Sequence, residues 1–169
     1  LRKRLGARRF PRPEFPVIPL GADCSAFERK DKTRYEWRRK LKIGKNDVVF
    51  LFVGRLSFHA KAHPHPMYLA AEAAAKKSGK KIHLIQSGWF ANDFIEAAFK
   101  DAAKALCPSV TCHFLDGREP ATRAEIWSAA DAFVSLSDNI QETFGLTPIE
   151  AMAAGLPVVV TDWDGYMDT

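Results

Sequence analysis

Short apolar runs alternate along this chain with longer stretches in which apolar positions return every third or fourth residue. Val48–Val53 is a continuous apolar run, as expected of a strand buried on both faces. The pattern predicts a helix over Met67–Lys77, with Lys76 and Lys77 in its last turn and Gly79 as its stop. A strand over Ile82–Gln86 follows. Asn92 can cap a helix reaching Leu106, with Phe94, Ile95, Ala98, Phe99, Ala102 and Leu106 on one face. Val110–Leu115 reads as a strand, and Thr122 with Glu125 as the capping box of a helix through Ala129. Ala132–Leu136 and Leu156–Thr161 complete the strands. Upstream, a basic helix is expected over Lys32–Leu41, capped by Asp31 and stopped by Gly44, behind an extended lead-in from Val17 to Asp23. Residues 1–16, with Pro11, Pro13 and Pro16 among arginines, read as a basic, Pro-rich linker.

Strands and helices in alternation, with short connections, imply parallel β-α-β units. The expected fold class is α/β, a doubly wound, Rossmann-like parallel sheet occupying residues 17–169. Ligands of such sheets bind at the carboxyl ends of the strands.

Composition narrows the class without choosing a function. A chain of 169 residues suits one domain burying roughly two thirds of its unfolded surface. No apolar stretch approaches the ~18 residues of a membrane span, and the start lacks the order of a signal peptide. The net charge is +5, concentrated at Arg2–Arg12 and again from Arg29 to Lys42. Without aromatic interleaving these clusters read as solvated faces or linkers, not as a nucleic-acid surface; peripheral contact with an anionic membrane is the secondary reading. Three cysteines (Cys24, Cys107, Cys112), with no C-x2-C pair, point to reduced thiols and a cytoplasmic protein. No G-x-G-x-x-G follows a strand, and no Walker or G-x-S-x-G motif occurs.

Chemistry concentrates in two segments at strand ends. In the first, Glu142 and Glu150 bracket Phe144-Gly145-Leu146-Thr147-Pro148, a helix start followed by Ala151-Met152-Ala153-Ala154-Gly155 and a buried strand. Backbone N–H groups at such a start suit a phosphate, and carboxylates on either side can hold hydroxyls. Thr147 as cap, Pro148 at the first helical position and Glu150 as reciprocal partner also form a capping pattern, whereas Glu142 has no evident structural partner. The second segment is Gly54-Arg55-Leu56-Ser57-Phe58-His59-Ala60-Lys61, a glycine turn after the first central strand with two cations for a diphosphate. His59, His63 and His65 have no companion ligand and read as loop histidines, so no metal is expected. Asp162-Trp163-Asp164-Gly165 reads as a polar loop after the last strand.

The two segments together resemble family 4 glycosyltransferases, with their E-x7-E signature and Arg/Lys diphosphate clamp. This chain departs from the usual pattern in having Ala62 after the lysine. The resemblance implies the donor-binding, C-terminal half of a two-domain GT-B enzyme, with an N-terminal acceptor domain as its partner and the final helical segment truncated. It implies a retaining transfer from a nucleotide-diphosphate-sugar, with no cofactor. Glu142, Arg55 and Lys61 would be catalytic. Glu150 would hold ribose, and Gly54 with the amides of Phe144, Gly145 and Leu146 would face the diphosphate. The base would lie near Phe114 and Leu115, toward Gly117. A nucleotide-sugar-binding fragment without turnover, or an epimerase or phosphorylase on the same architecture, are the alternatives.

Overall fold

The computed structural model describes residue 16 and residues 21–139, 142 and 144–167. The linker and most of the lead-in therefore lie outside the described residues. Five strands, β1 (Val48–Val53), β2 (Ile82–Gly88), β3 (Val110–Asp116), β4 (Ala132–Ser135) and β5 (Val158–Val160), form one sheet in the order β3-β2-β1-β4-β5. Every pairing is parallel, with Val48 opposite Ile82, Ile82 opposite Val110, and Phe50 opposite Ala132. Among the described residues five α-helices accompany it: α1 (Asp31–Lys40), α2 (His65–Ser78), α3 (Asp93–Leu106), α4 (Pro120–Glu125) and α5 (Leu146–Ala153).

The period of two along β1 sorts the core into two layers. Val49 and Leu51 face α1, α5 and the 3-10 turn Ile126–Ala129, against Trp37, Trp127, Phe133 and Ala151. Phe52 faces α2 and α3, against Tyr68, Ala71, Ile95 and Phe99. Helices on both faces make the sheet doubly wound, which is why the strands read as continuous apolar runs. Among the described residues no helix is long and apolar enough to cross a membrane.

Several expected caps fall elsewhere. Asp31 is the first residue of α1 and makes no capping bond. Gly44 is not the stop, because Lys42 takes the left-handed position (φ 56°) while Lys42 and Ile43 donate back to the carbonyls of Arg39 and Arg38 at 3.1 and 2.8 Å. The Gly44 amide is free for Asp47 Oδ2 instead, at 2.8 Å. The Thr122–Glu125 capping box does not form: α4 starts at Pro120, and Glu125 Oε2 accepts from Trp37 Nε1 at 3.0 Å. On α3 the buried stripe is Ile95, Phe99 and Ala103, while Phe94 is 75 % exposed. Asn92 does cap α3, its Oδ1 accepting from the Ile95 amide at 2.9 Å.

The second basic cluster is not simply solvated. Arg38 is buried and donates to the carbonyls of Gly44 and Asp47 at 2.8 and 2.7 Å and to Asp131 at 3.2 Å. Arg34 pairs with the same carboxylate, which also accepts the Val49 amide at 2.8 Å. This network ties α1 to the start of β1 and the turn before β4. A guanidinium with five donors can satisfy several buried carbonyls at once, which a lysine cannot.

Candidate functional site

Strand order reverses direction at β1, whose neighbours β2 and β4 are reached by crossovers on opposite faces. The crevice at the carboxyl ends of β1 and β4 is where a doubly wound sheet binds ligands. At the carboxyl ends of the adjacent strands β1, β2 and β3 stand Gly54, Gly88 and Gly117, the first and third just past their strands. Gly54 has φ 155°, donates to the Ser87 carbonyl at 3.0 Å, and would press a Cβ against Lys61 Cε and the Phe52 ring at 3.3 Å. A Cβ on Gly88 would land on the carbonyl oxygen of Gly54. Gly117 donates to the Gly88 carbonyl at 2.9 Å. The result is a floor of bare backbone under a cleft of about 550 Å³.

Arg55, Arg118 and Arg123 line this cleft with Glu150, Leu146 and Thr147. Glu150 is half-buried on α5, and burial raises its pKa against the opposing charge of Arg123. Its carboxylate makes no side-chain hydrogen bond among the described residues. Helix α5 starts from Gly145 at φ 60°, with no side-chain cap. The expected Thr147 cap does not form, because Thr147 is already inside the helix and Pro148 is its third residue. The amides of Leu146 and Thr147 are thus left without a side-chain cap at the cleft edge.

Glu142 lies behind this wall, 6 % exposed. It has partners, contrary to the sequence reading. Its carboxylate is ion-paired with Lys61 Nζ and accepts from the Tyr166 hydroxyl at 3.1 Å. Its carbonyl accepts from the Gly165 amide at 2.9 Å, so the Asp162–Gly165 loop leads into a 3-10 turn, Asp164–Tyr166, that closes under it. Ser135 Oγ, at the end of β4, sits 2.8 Å from the Tyr166 hydroxyl. Burial, and then the charge of Arg55, disfavour the ammonium form of Lys61; the Glu142 carboxylate favours it.

The structure thus brings Gly54, Arg55, Leu146 and Glu150 to one cleft and sets Lys61 and Glu142 as a pair beside it. Phe144 is exposed and Gly145 buried at the start of α5. Phe114 and Leu115 do not line the cleft: the Phe114 ring packs on Phe90 with centroids 5.8 Å apart, and Leu115 packs against the layer of Trp127. Gly117 and Arg118, just beyond them, do line it. The reason is that β3 runs one residue further than expected, to Asp116, and the cleft opens past the strand ends. Sequence reasoning missed Gly88, Arg118, Arg123 and Tyr166; glycine after each of three predicted strands was the available signal. Among the described residues no group of three or more His, Cys, Asp or Glu is placed to hold a metal. His59 instead contacts Ser57 Oγ at 3.5 Å, and the His63 and His65 rings meet edge-on at 4.2 Å.

A family profile described as glycosyl transferases group 1 matches residues 33–169. The chain belongs to this glycosyltransferase family. Among similar proteins, the α-monoglucosyldiacylglycerol synthase of Streptococcus pneumoniae is 32 % identical over 148 residues, 85 % of this chain and 31 % of that protein. The D-inositol 3-phosphate glycosyltransferase of Nocardia farcinica is 28 % identical over 156 residues, 91 % of this chain and 34 % of that one. The glycosyltransferase chain thus spans about a third of the length of these curated relatives. Among solved structures, HepE of Anabaena, in complex with UDP and glucose, superposes with a TM-score of 0.65 at 20 % identity, over 88 % of this chain and 38 % of that one. The C-terminal domain of the group 1 glycosyl transferase LpcC from Francisella tularensis gives 0.59 at 22 %, over 86 % of this chain and 72 % of that one. The fold is the Rossmann-like α/β domain of GT-B glycosyltransferases.

Proposed function

We propose that this chain is the donor-binding domain of a retaining, family 4 glycosyltransferase that moves a sugar from a nucleotide-diphosphate-sugar to an acceptor. The observation that carries the reading is the convergence of Arg55, the uncapped start of α5 and Glu150 on one glycine-floored cleft at the switch point of the sheet. In this reading the diphosphate lies between the Arg55 guanidinium and the amides of Leu146 and Thr147. Glu150 accepts hydrogen bonds from the ribose hydroxyls. Glu142 holds the sugar hydroxyls, and Lys61 turns from Glu142 toward the departing phosphate. Fixed cations and amides placed where charge develops stabilise the leaving group. In this reading positioning and leaving-group stabilisation carry the catalysis, without a side-chain nucleophile or a metal.

HepE is bound to UDP and glucose, which supports a nucleotide-sugar as the ligand. Of the two relatives above, one is named as a synthase of a glucosyldiacylglycerol and the other as a glycosyltransferase of inositol 3-phosphate, which supports a common donor half combined with differing acceptor halves. An N-terminal acceptor domain would supply the facing wall, and the enzyme would work in the cytoplasm, in peripheral contact with a membrane if its acceptor is a lipid.

A thermal-shift panel of nucleotide-sugars on the wild-type chain and on Glu150→Ala tests the site. A selective shift that disappears in the variant supports it; no shift with any donor refutes it. Transfer assays with and without the acceptor domain separate turnover from binding alone.

A further inference from the structure

The chain has four tryptophans, and two of them, Trp37 and Trp127, are core residues at 6 % and 2 % exposure, whereas Trp89 at the end of β2 remains 40 % exposed. Its backbone is pinned: the Leu56 amide donates to the Trp89 carbonyl at 3.0 Å, and Leu56 and Phe90 form a parallel bridge beyond the strand ends. Side chains leave an extended backbone on alternate faces. Phe90 takes the core face, edge-on to Phe99 at 5.5 Å. Trp89 is therefore directed to the other side, where it lines the donor cleft.

Its surroundings suit a flat ring. Gly88 and Gly117 bring bare backbone to this end of the cleft. The Arg118 guanidinium, also on the cleft wall, is held back by a fork to Asp116, with Nε–Oδ1 at 2.9 Å and Nη2–Oδ2 at 2.7 Å. The guanidinium is thus directed to Asp116 and not to the indole. Trp89 and Arg118 also border a second hollow of about 380 Å³, so Trp89 lies between the cleft and that hollow. A half-exposed indole lining the same cleft as Gly88 and Gly117, next to a carboxylate-paired arginine, has the chemistry of a base-stacking platform.

We propose that Trp89 stacks on the nucleobase of the bound nucleotide-sugar and so contributes affinity at the base end of the cleft. This rests on the donor-site reading above. Stacking accepts any base, because every base presents a π-face, so the residue sets the need for a nucleotide more than the choice among nucleotides.

Calorimetric titration of UDP, GDP and inorganic pyrophosphate into the wild-type chain, Trp89→Ala, Trp89→Leu and Trp89→Phe tests it. Both nucleotides are expected to bind Trp89→Ala and Trp89→Leu roughly fivefold to 150-fold more weakly, the range for one stacked base. Pyrophosphate affinity stays within twofold, and Trp89→Phe keeps most of the nucleotide affinity. The leucine variant retains apolar bulk and guards against a folding defect in the alanine one. Unchanged nucleotide affinity in the leucine and alanine variants overturns the proposal, as does an equal loss for pyrophosphate. A wild-type chain that binds neither nucleotides nor pyrophosphate overturns the donor-site reading itself, and this inference with it.

Discussion

Replacing Lys61 by methionine keeps the length of the side chain and removes its charge. Glu142, 6 % exposed, then loses its cation and retains the Tyr166 hydroxyl at 3.1 Å as its side-chain donor. Removing one partner of a buried ion pair costs about 3–5 kcal/mol, because the remaining charge is left in a poorly solvated place. The Lys61 side chain keeps 18 % exposure and the Tyr166 bond survives, so the low end, about 3 kcal/mol, is expected. Against a total stability of roughly 5–15 kcal/mol this is a large loss. At a slope of 1–3 kcal/mol per molar urea it moves the midpoint by about 1 M or more.

The sign with pH follows from the same cause. The deficit comes from an orphaned carboxylate charge, so it is largest at neutral pH and shrinks in acid, where that charge is neutralised. Glu142→Gln in the Lys61→Met background removes the orphaned charge and should recover most of the loss. Urea unfolding of wild type, both single variants and the double variant closes a double-mutant cycle. A single variant within about 0.5 kcal/mol of wild type, or strictly additive effects, would refute the claim that this pair is a coupled, buried unit.

Gly88→Ala should destabilise the domain by about 1–3 kcal/mol and abolish nucleotide-sugar binding, since its Cβ meets the Gly54 carbonyl and the two strand ends must part; unfolding curves and a donor thermal shift check both. Glu150→Gln should weaken donor binding at least tenfold while leaving the fold as stable or slightly more stable at pH 7. Burial raises the wild-type Glu150 pKa above 4.5, so the stability gain should vanish in acid, where both states are protonated; donor titration and unfolding at pH 7 and pH 4 separate the effects. His83 and His113 touch through Nδ1 and Nε2 at 2.9 Å, and His83 Nε2 reaches Asp47 at 3.0 Å. Burial lowers both pKa values below 6.5, against Asp47 at His83 and reinforced by Lys81. The folded state therefore binds fewer protons: the histidine contribution is complete above about pH 6.5 and is lost as pH falls through the folded values, a slope that His113→Gln should flatten in pH-dependent unfolding.

The elements and their order can be read from the residue pattern, because burying strands on both faces forces continuous apolar runs and an amphipathic α3 needs a stripe at helical spacing. Val48–Val53 and the Asn92 cap could be read locally. The meeting of Arg55 and Glu150 at one cleft was legible too, since charges placed after strand ends in an alternating fold gather at one edge of the sheet. Contacts between distant segments exist only in the folded chain. Glu142 looked unpartnered because Lys61 and Tyr166 lie 81 and 24 residues away. Arg38 looked solvated because the carbonyls it satisfies come from two turns that meet only when β1 lies beside β4. The glycines at the ends of β1, β2 and β3 have no local signature beyond being glycines; their meaning is the closeness of neighbouring backbones, which exists only once the strands are in register.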